Sequence, residues 1–198
     1  MMTARVGIYN VPNPLKITKL NRPALLQLKD KKNLVGAEIG VQYGLNAGAI
    51  LKTLDIEKLY LIDPYGTYKE KRLITSHEAQ YWQMNAKRLL IEWEEKTIWI
   101  QKRSVKAVKY IKDNSLDFVY IDGGHLYKNV TEDIESYMPK VKMGGLIAGH
   151  DYNKKQVKRA IDDMYGDKVT VENCLKIVNP NERGIDWWVW KDEDIINR

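Results

Sequence analysis

Five short apolar runs alternate with segments of helical period along this chain, and that alternation restricts the fold more than any other feature. The runs Leu34–Ile39, Lys58–Ile62, Thr97–Ile100, Leu116–Ile121 and Gly145–Gly149 have strand length, and several are rich in Val and Ile. Helical patterns lie between and after them. Asn46–Leu54 follows the first run, and Ser104–Lys112 opens with a serine suited to an N-cap. Leu126–Met138 sets Leu126, Val130, Ile134 and Tyr137 on one face and meets Pro139, and Lys155–Tyr165 follows the fifth run. Strands separated by helical crossovers pair most readily in parallel, with helices on both faces of the sheet. The chain closes differently. Lys168–Val178 and Asp186–Lys191 are joined by the turn-rich Asn179–Gly184, which favours an antiparallel pair. The expectation is an α/β fold: a seven-stranded, mostly parallel sheet with an antiparallel last strand.

A chain of 198 residues suits one domain with a sizeable core. Residues 34–191 form that core. Residues 1–33 read as an extension with Pro12 and Pro14 and a short helix near Pro23–Lys29. Residues 64–95 are long for a crossover and carry Tyr65, Tyr68, Tyr81, Trp82 and Trp93. They fit a lid or substrate wall over the sheet edge, or a helix packing its aromatics on the sheet.

No apolar run approaches the roughly 18 residues of a membrane helix, and the first residues lack a signal-peptide apolar region, so a membrane partner is not expected. A single cysteine, Cys174, permits no intrachain disulfide; it suits a cytoplasmic protein and reads as a small buried hydrophobe in a strand. The net charge of +6 invites thoughts of nucleic acid, but the lysines are interspersed with acids, as in Lys69-Glu-Lys-Arg72. The densest basic run, Asn153–Arg159, reads as a solvated helix face. Nucleic acid is therefore disfavoured as a partner and a small-molecule substrate is favoured. A homo-oligomer is compatible with the sequence but not specified by it.

In an open parallel sheet, ligands bind beyond the carboxyl ends of the strands. The first run ends in Glu38-Ile-Gly40-Val-Gln-Tyr-Gly44. Gly40 would let the backbone turn sharply near a ligand, and Gly44 would open the next helix with its free amides facing the loop. The middle glycine of the dinucleotide fingerprint is absent, because Gln42 stands there; this argues against a pyrophosphate-bearing nicotinamide cofactor. The second run ends in Asp63, 25 positions after Glu38, where an acid can accept hydrogen bonds from both ribose hydroxyls. Ser104, after the third run, would contact a base or cap its helix.

The fourth and fifth runs end in Ile-Asp122-Gly-Gly-His125 and Gly-His150-Asp151-Tyr152. Adjacent strands would gather two carboxylates and two imidazoles at one edge, which suits a divalent metal site, a general base, or both.

Together these motifs, with Tyr127 and Asp133, resemble the methyltransferase-24 group of class I methyltransferases, related to macrolide-sugar O-methyltransferases and more distantly to catechol O-methyltransferase. The resemblance spans about residues 34–191, with Asp186-Trp-Trp-Val-Trp-Lys191 similar to the family's last strand. It implies a Rossmann-like methyltransferase fold and S-adenosyl-L-methionine as cofactor, bound by Glu38, Gly40 and Asp63. Gly44, Ser104 and Asp122 join that set from their positions in the pattern. By the same resemblance, Asp122 and Asp151 would hold magnesium and His125 would be the base. The chain departs from that branch at His150, where an acid is usual; His150 beside Asp122 and Asp151 would suit manganese, another transition metal, or a metal-free site. The implied activity is O-methylation of a small-molecule or sugar hydroxyl. A nucleic-acid or protein methyltransferase and a non-catalytic nucleotide-binding domain are the competing readings.

Overall fold

A computed structural model describes residues 16–69, 73–175 and 184–196. Pro12 and Pro14 and most of the Asn179–Gly184 turn lie outside the described residues. The strands are β1 (Leu34–Ile39), β2 (Ile56–Ile62), β3 (Tyr68–Lys69), β4 (Leu73–Ile74), β5 (Thr97–Ile100), β6 (Leu116–Ile121), β7 (Val141–Gly149), β8 (Thr170–Asn173) and β9 (Ile185–Trp190). The helices are α1 (Pro23–Leu26), α2 (Leu45–Thr53), α3 (Ser76–Leu89), α4 (Ser104–Ala107), α5 (Tyr127–Tyr137), α6 (Lys155–Tyr165) and α7 (Glu193–Ile196). Seven strands form one sheet in the order β5-β2-β1-β6-β7-β9-β8, and β3 pairs with β4 as a separate ribbon. The first five of that order are mutually parallel. β9 runs antiparallel to both β7 and β8.

Helices cover both faces, as the apolar patterning requires. Leu25, Ile50 and Trp82 pack with Leu59, Phe118 and Tyr120 on one face. Ile134, Tyr137, Ile161 and Tyr165 pack with Val119, Ile147 and Trp187 on the other. Each such side chain contributes about 1.5–3 kcal/mol by leaving water, so the two layers fix the sheet as a rigid platform. The chain winds outward from β1 to β2 and β5, then returns across β1 to β6. A crevice therefore opens where β1 and β6 lie side by side, at their carboxyl ends.

Several boundaries differ from expectation for local reasons. β7 begins at Val141 rather than Gly145; its Met143–Gly145 segment bulges, so that Leu116 pairs with Val141 but Phe118 with Leu146. The helix expected from Ser104 to Lys112 is α4 plus a 3-10 turn ending at Tyr110. Its N-cap is Arg103, not Ser104. Leu126 does not share the buried face of Val130, Ile134 and Tyr137. It is the N-cap of α5, where an extended backbone swings its side chain off the helix stripe, and it is exposed. Cys174 is buried but lies just past β8, among polar groups. In the 64–95 segment, Trp82 is buried and rests 5.6 Å from the Tyr43 ring.

Candidate active site

The crevice is an open cleft of about 770 Å³, bordered by Glu38, Gly40, Asn46, Asp63, Ser104, Asp122, His125 and Asp133 among others. Its floor is the loop after β1. Gly40 has φ +90°, Gln42 φ +47° and Gly44 φ +74°, so the loop turns on three left-handed residues. Gly40 borders the cleft and also gives room to the neighbouring strand. A Cβ there would stand 2.1 Å from the Asp122 carbonyl oxygen. Gly44 caps α2 and turns its Cα toward Ala86 and Leu90, so it shapes the helix entry without facing the cleft.

Asp63 braces this loop. Its Oδ2 accepts from the backbone amides of Val41 (3.1 Å) and Gln42 (3.0 Å), and its Oδ1 from that of Tyr65 (2.9 Å). Burial pushes its pKa up, and the three amides offset part of that shift. Three bonds leave the carboxylate capacity for a further donor. The Tyr65 hydroxyl adds a second tie by donating to the Gln42 carbonyl at 2.9 Å.

Glu38 lies at the end of β1 and is 1 % exposed. Its Oε1 accepts from Asn46 Nδ2 at 2.9 Å, whereas Oε2 is buried without a partner. Burial pushes this carboxyl up to about 8, with Asn46 opposing the shift. A buried orphan acceptor facing a cleft is costly unless a ligand completes it. Arg22, from the segment before β1, borders the same end of the cleft, and its Nε lies 3.4 Å from Asn46 Oδ1. Ser104 is the first helical residue of α4 rather than its N-cap, and its hydroxyl donates to the Asp133 carboxylate. Burial raises Asp133 to about 6 despite that bond.

At the opposite edge the structure separates the four expected residues into two groups. Ligand atoms of Asp122, His125 and Asp151 lie within 4.8 Å of one another. His150 does not complete this group. Its Nδ1 lies 3.0 Å from Asp186 Oδ1, and it clusters with Asp186 and Cys174; its nearest approach to Asp151 is 3.8 Å. The reason is tertiary: β9 brings the fully buried Asp186 beside β7, where Tyr120 also donates to it at 2.8 Å.

Within the first group the two carboxylates are driven apart. Burial raises Asp122, against the pull of the His150 and Arg22 charges. Burial would raise Asp151 too, but hydrogen bonds from His125 and Lys154 hold it well below the usual carboxylate range. His125 Nε2 is 2.7 Å from Asp151 Oδ2. The Lys154 ammonium lies 2.6 Å from that same oxygen and 2.7 Å from His125 Nε2. Asp151 itself holds φ +63°, an uncommon conformation for a residue with a side chain and one that concentrates at functional sites.

Four residues here escaped the sequence. Lys154 was assigned to a solvated helix face, although its position three after Asp151 is a local hint. Asn46 carries a similar hint, one turn into the helix that follows Glu38. Arg22 and Asp186 arrive from remote segments and leave no local signal.

A parallel sheet ordered in this way, with one antiparallel strand near its edge and a cleft at the β1–β6 switch, defines the class I methyltransferase fold. The family model described as a methyltransferase domain, methyltransferase-24, matches residues 37–152, more than half of the chain. The chain belongs to this methyltransferase family. Among solved structures it is similar to the O-methyltransferase TomG from Streptomyces achromogenes, crystallised with the cofactor (13% identity, 85% of this chain and 78% of that one, TM-score 0.61). It is also similar to an rRNA methylase from Streptococcus thermophilus (15% identity, 85% and 92%, TM-score 0.58). At such identities the likeness concerns the fold. A curated relative, the uncharacterized protein y4gI of Sinorhizobium fredii (strain NBRC 101917 / NGR234), is 23% identical over 94 residues; the match spans 48% of this chain and about a tenth of that protein. Among the described residues, no helix is long and apolar enough to cross a membrane.

Proposed function

We propose that this methyltransferase acts on a hydroxyl of a small molecule, such as a sugar, with His125 as the general base. The observation that carries the reading is the ionised Asp151 held 2.7 Å from His125 Nε2, with both residues lining the cleft. A carboxylate so placed orients the imidazole and offsets the repulsion that the Lys154 ammonium, 2.7 Å from Nε2, exerts on its protonated form. When bound, S-adenosylmethionine supplies an electrophilic methyl on a sulfonium. A neutral alcohol attacks such a carbon well only as its proton leaves, and His125 takes that proton on Nδ1 while Nε2 stays against Asp151.

The residues at the other end fit the cofactor. Glu38 Oε2, buried without a partner, would accept from its ammonium, and Arg22 would face its carboxylate. Asp63 would take the ribose, and Ser104 with Asp133 would border the base. Micromolar binding of S-adenosylhomocysteine by calorimetry is expected of the purified protein. Arg22→Ala should weaken it about tenfold, the worth of one charge-assisted hydrogen bond; an unchanged affinity would remove Arg22 from the site. Transfer of labelled methyl from the cofactor should reach hydroxylated small molecules. Label found only in RNA or protein would overturn the substrate class.

A further inference from the structure

The resemblance drawn from the sequence implies a divalent ion at the catalytic edge, but the residues there do not fit one. Asp122, His125 and Asp151 could serve as ligands by residue type and spacing. The Lys154 ammonium, however, already lies 2.6 Å from Asp151 Oδ2 and 2.7 Å from His125 Nε2. An ion bridging those two atoms would sit about 2.0–2.2 Å from each. It would either overlap Nζ or stand within about 4 Å of a like charge.

Lys154 is fixed there by the fold. It caps α6, its amide donates to the Asp151 carbonyl at 2.8 Å, and its side chain is only 34 % exposed. The left-handed Asp151 makes the turn that folds this lysine back onto its own candidate ligand acid. The second group repeats the arrangement. Arg22 Nη1 lies 3.1 Å from His150 Nε2 and donates to Cys174 Sγ at 3.3 Å, amid the only other metal-suited cluster among the described residues.

From this we infer that Lys154 is the resident cation of the catalytic edge, so that the site excludes a divalent ion and works without one. This rests on the methyl-transfer reading of the edge for its role, though the exclusion itself is a matter of geometry. Lys154 is a positioning residue: it keeps Asp151 ionised against His125, the charge-compensating task a metal would otherwise perform. Chelation should therefore leave methyl transfer unchanged, while loss of the ammonium should open a cation site.

The test uses metal-stripped full chain and Mn²⁺ alone, with free Mn²⁺ followed by electron paramagnetic resonance. Wild type should bind Mn²⁺ weakly. Lys154→Met should bind at least about tenfold more tightly, as expected from removing a like charge beside the ligands. Asp151→Asn in that background should abolish the gain. Lys154→Gln serves as a second variant, and circular dichroism reports folding of each. The inference is overturned if wild type binds Mn²⁺ as tightly as the variants and loses it with Asp151→Asn. It is equally overturned if folded Lys154→Met and Lys154→Gln bind no better than wild type. S-adenosylhomocysteine calorimetry on the same samples tests the cofactor reading separately, since a wild type that fails to bind it would still report on the ion.

Discussion

Gly40→Ala is expected to lower the unfolding free energy by on the order of 3–5 kcal/mol, a large share of the 5–15 kcal/mol typical of a folded domain. Two costs combine. Alanine is strained at φ +90°, and its Cβ would fall 2.1 Å from the Asp122 carbonyl oxygen and 2.6 Å from the carbonyl carbon. Neither partner is a flexible side chain that could swing aside. The Gly40 amide donates to the Ile62 carbonyl at 2.9 Å and the Asp122 amide to the Ile39 carbonyl at 2.8 Å, so the clash is pinned from both sides by the sheet. Relief requires β1 and β6 to part at the end where the cleft opens, and cofactor binding should fall with stability. Gly44→Ala is the internal control. It is also strained at φ +74°, but its Cβ would meet the Ala86 and Leu90 side chains at 3.2 Å, contacts that can yield. Urea denaturation should therefore rank the loss at Gly40 well above that at Gly44. Equal midpoints for wild type and Gly40→Ala would refute the close approach.

The second large effect concerns Glu38. If its orphan oxygen receives the cofactor's ammonium, the carboxyl must be ionised in the complex, whereas burial sets it at about 8 in the free protein. Binding then expels a proton wherever the free carboxyl is protonated. The sign follows: affinity for S-adenosylhomocysteine is highest above the free-protein pKa and falls as pH drops through about 8, approaching tenfold per pH unit. It levels off only below the pKa of the complex. Glu38→Gln keeps the shape, removes the titration and should flatten the profile between about pH 6 and 8. Glu38→Ala should cost about a hundredfold at the optimum, the worth of a desolvated charge pair. Calorimetry in buffers of different ionisation enthalpy would count the released proton. A wild-type affinity independent of pH over this range would place the ammonium elsewhere.

Much of this architecture was legible before any coordinates. The alternation of apolar runs dictated the parallel core, because strands buried on both faces must be continuously apolar and their crossovers must be amphipathic. The turn-rich stretch before Asp186 signalled the antiparallel β9. The residues ending β1, β2, β6 and β7 could be assigned to one edge, since strand ends in a parallel sheet converge there whatever the side chains do. Boundaries were less legible where glycines served a bulge, as at Met143–Gly145, or where a helix began one residue early, as α4 does with Arg103 as its N-cap.

What the tertiary structure decided is which of the converging residues touch. Sequence order put His150 beside Asp151 and suggested that they work together. The fold keeps them 3.8 Å apart but turns the His150 ring toward a different acid, because β9 supplies the buried Asp186 at 3.0 Å. Likewise Gly40 borders the cleft as its loop suggested, but it also makes room for the carbonyl of Asp122, 82 positions along the chain. Lys154 looked like solvated charge and Arg22 gave no signal, yet both stand within the two clusters of candidate ligands. Spacing along a strand or helix fixes which edge or face a residue occupies. Its partners come from segments distant in sequence, and only packing sets the distances of a few ångströms on which charge and hydrogen bonding depend.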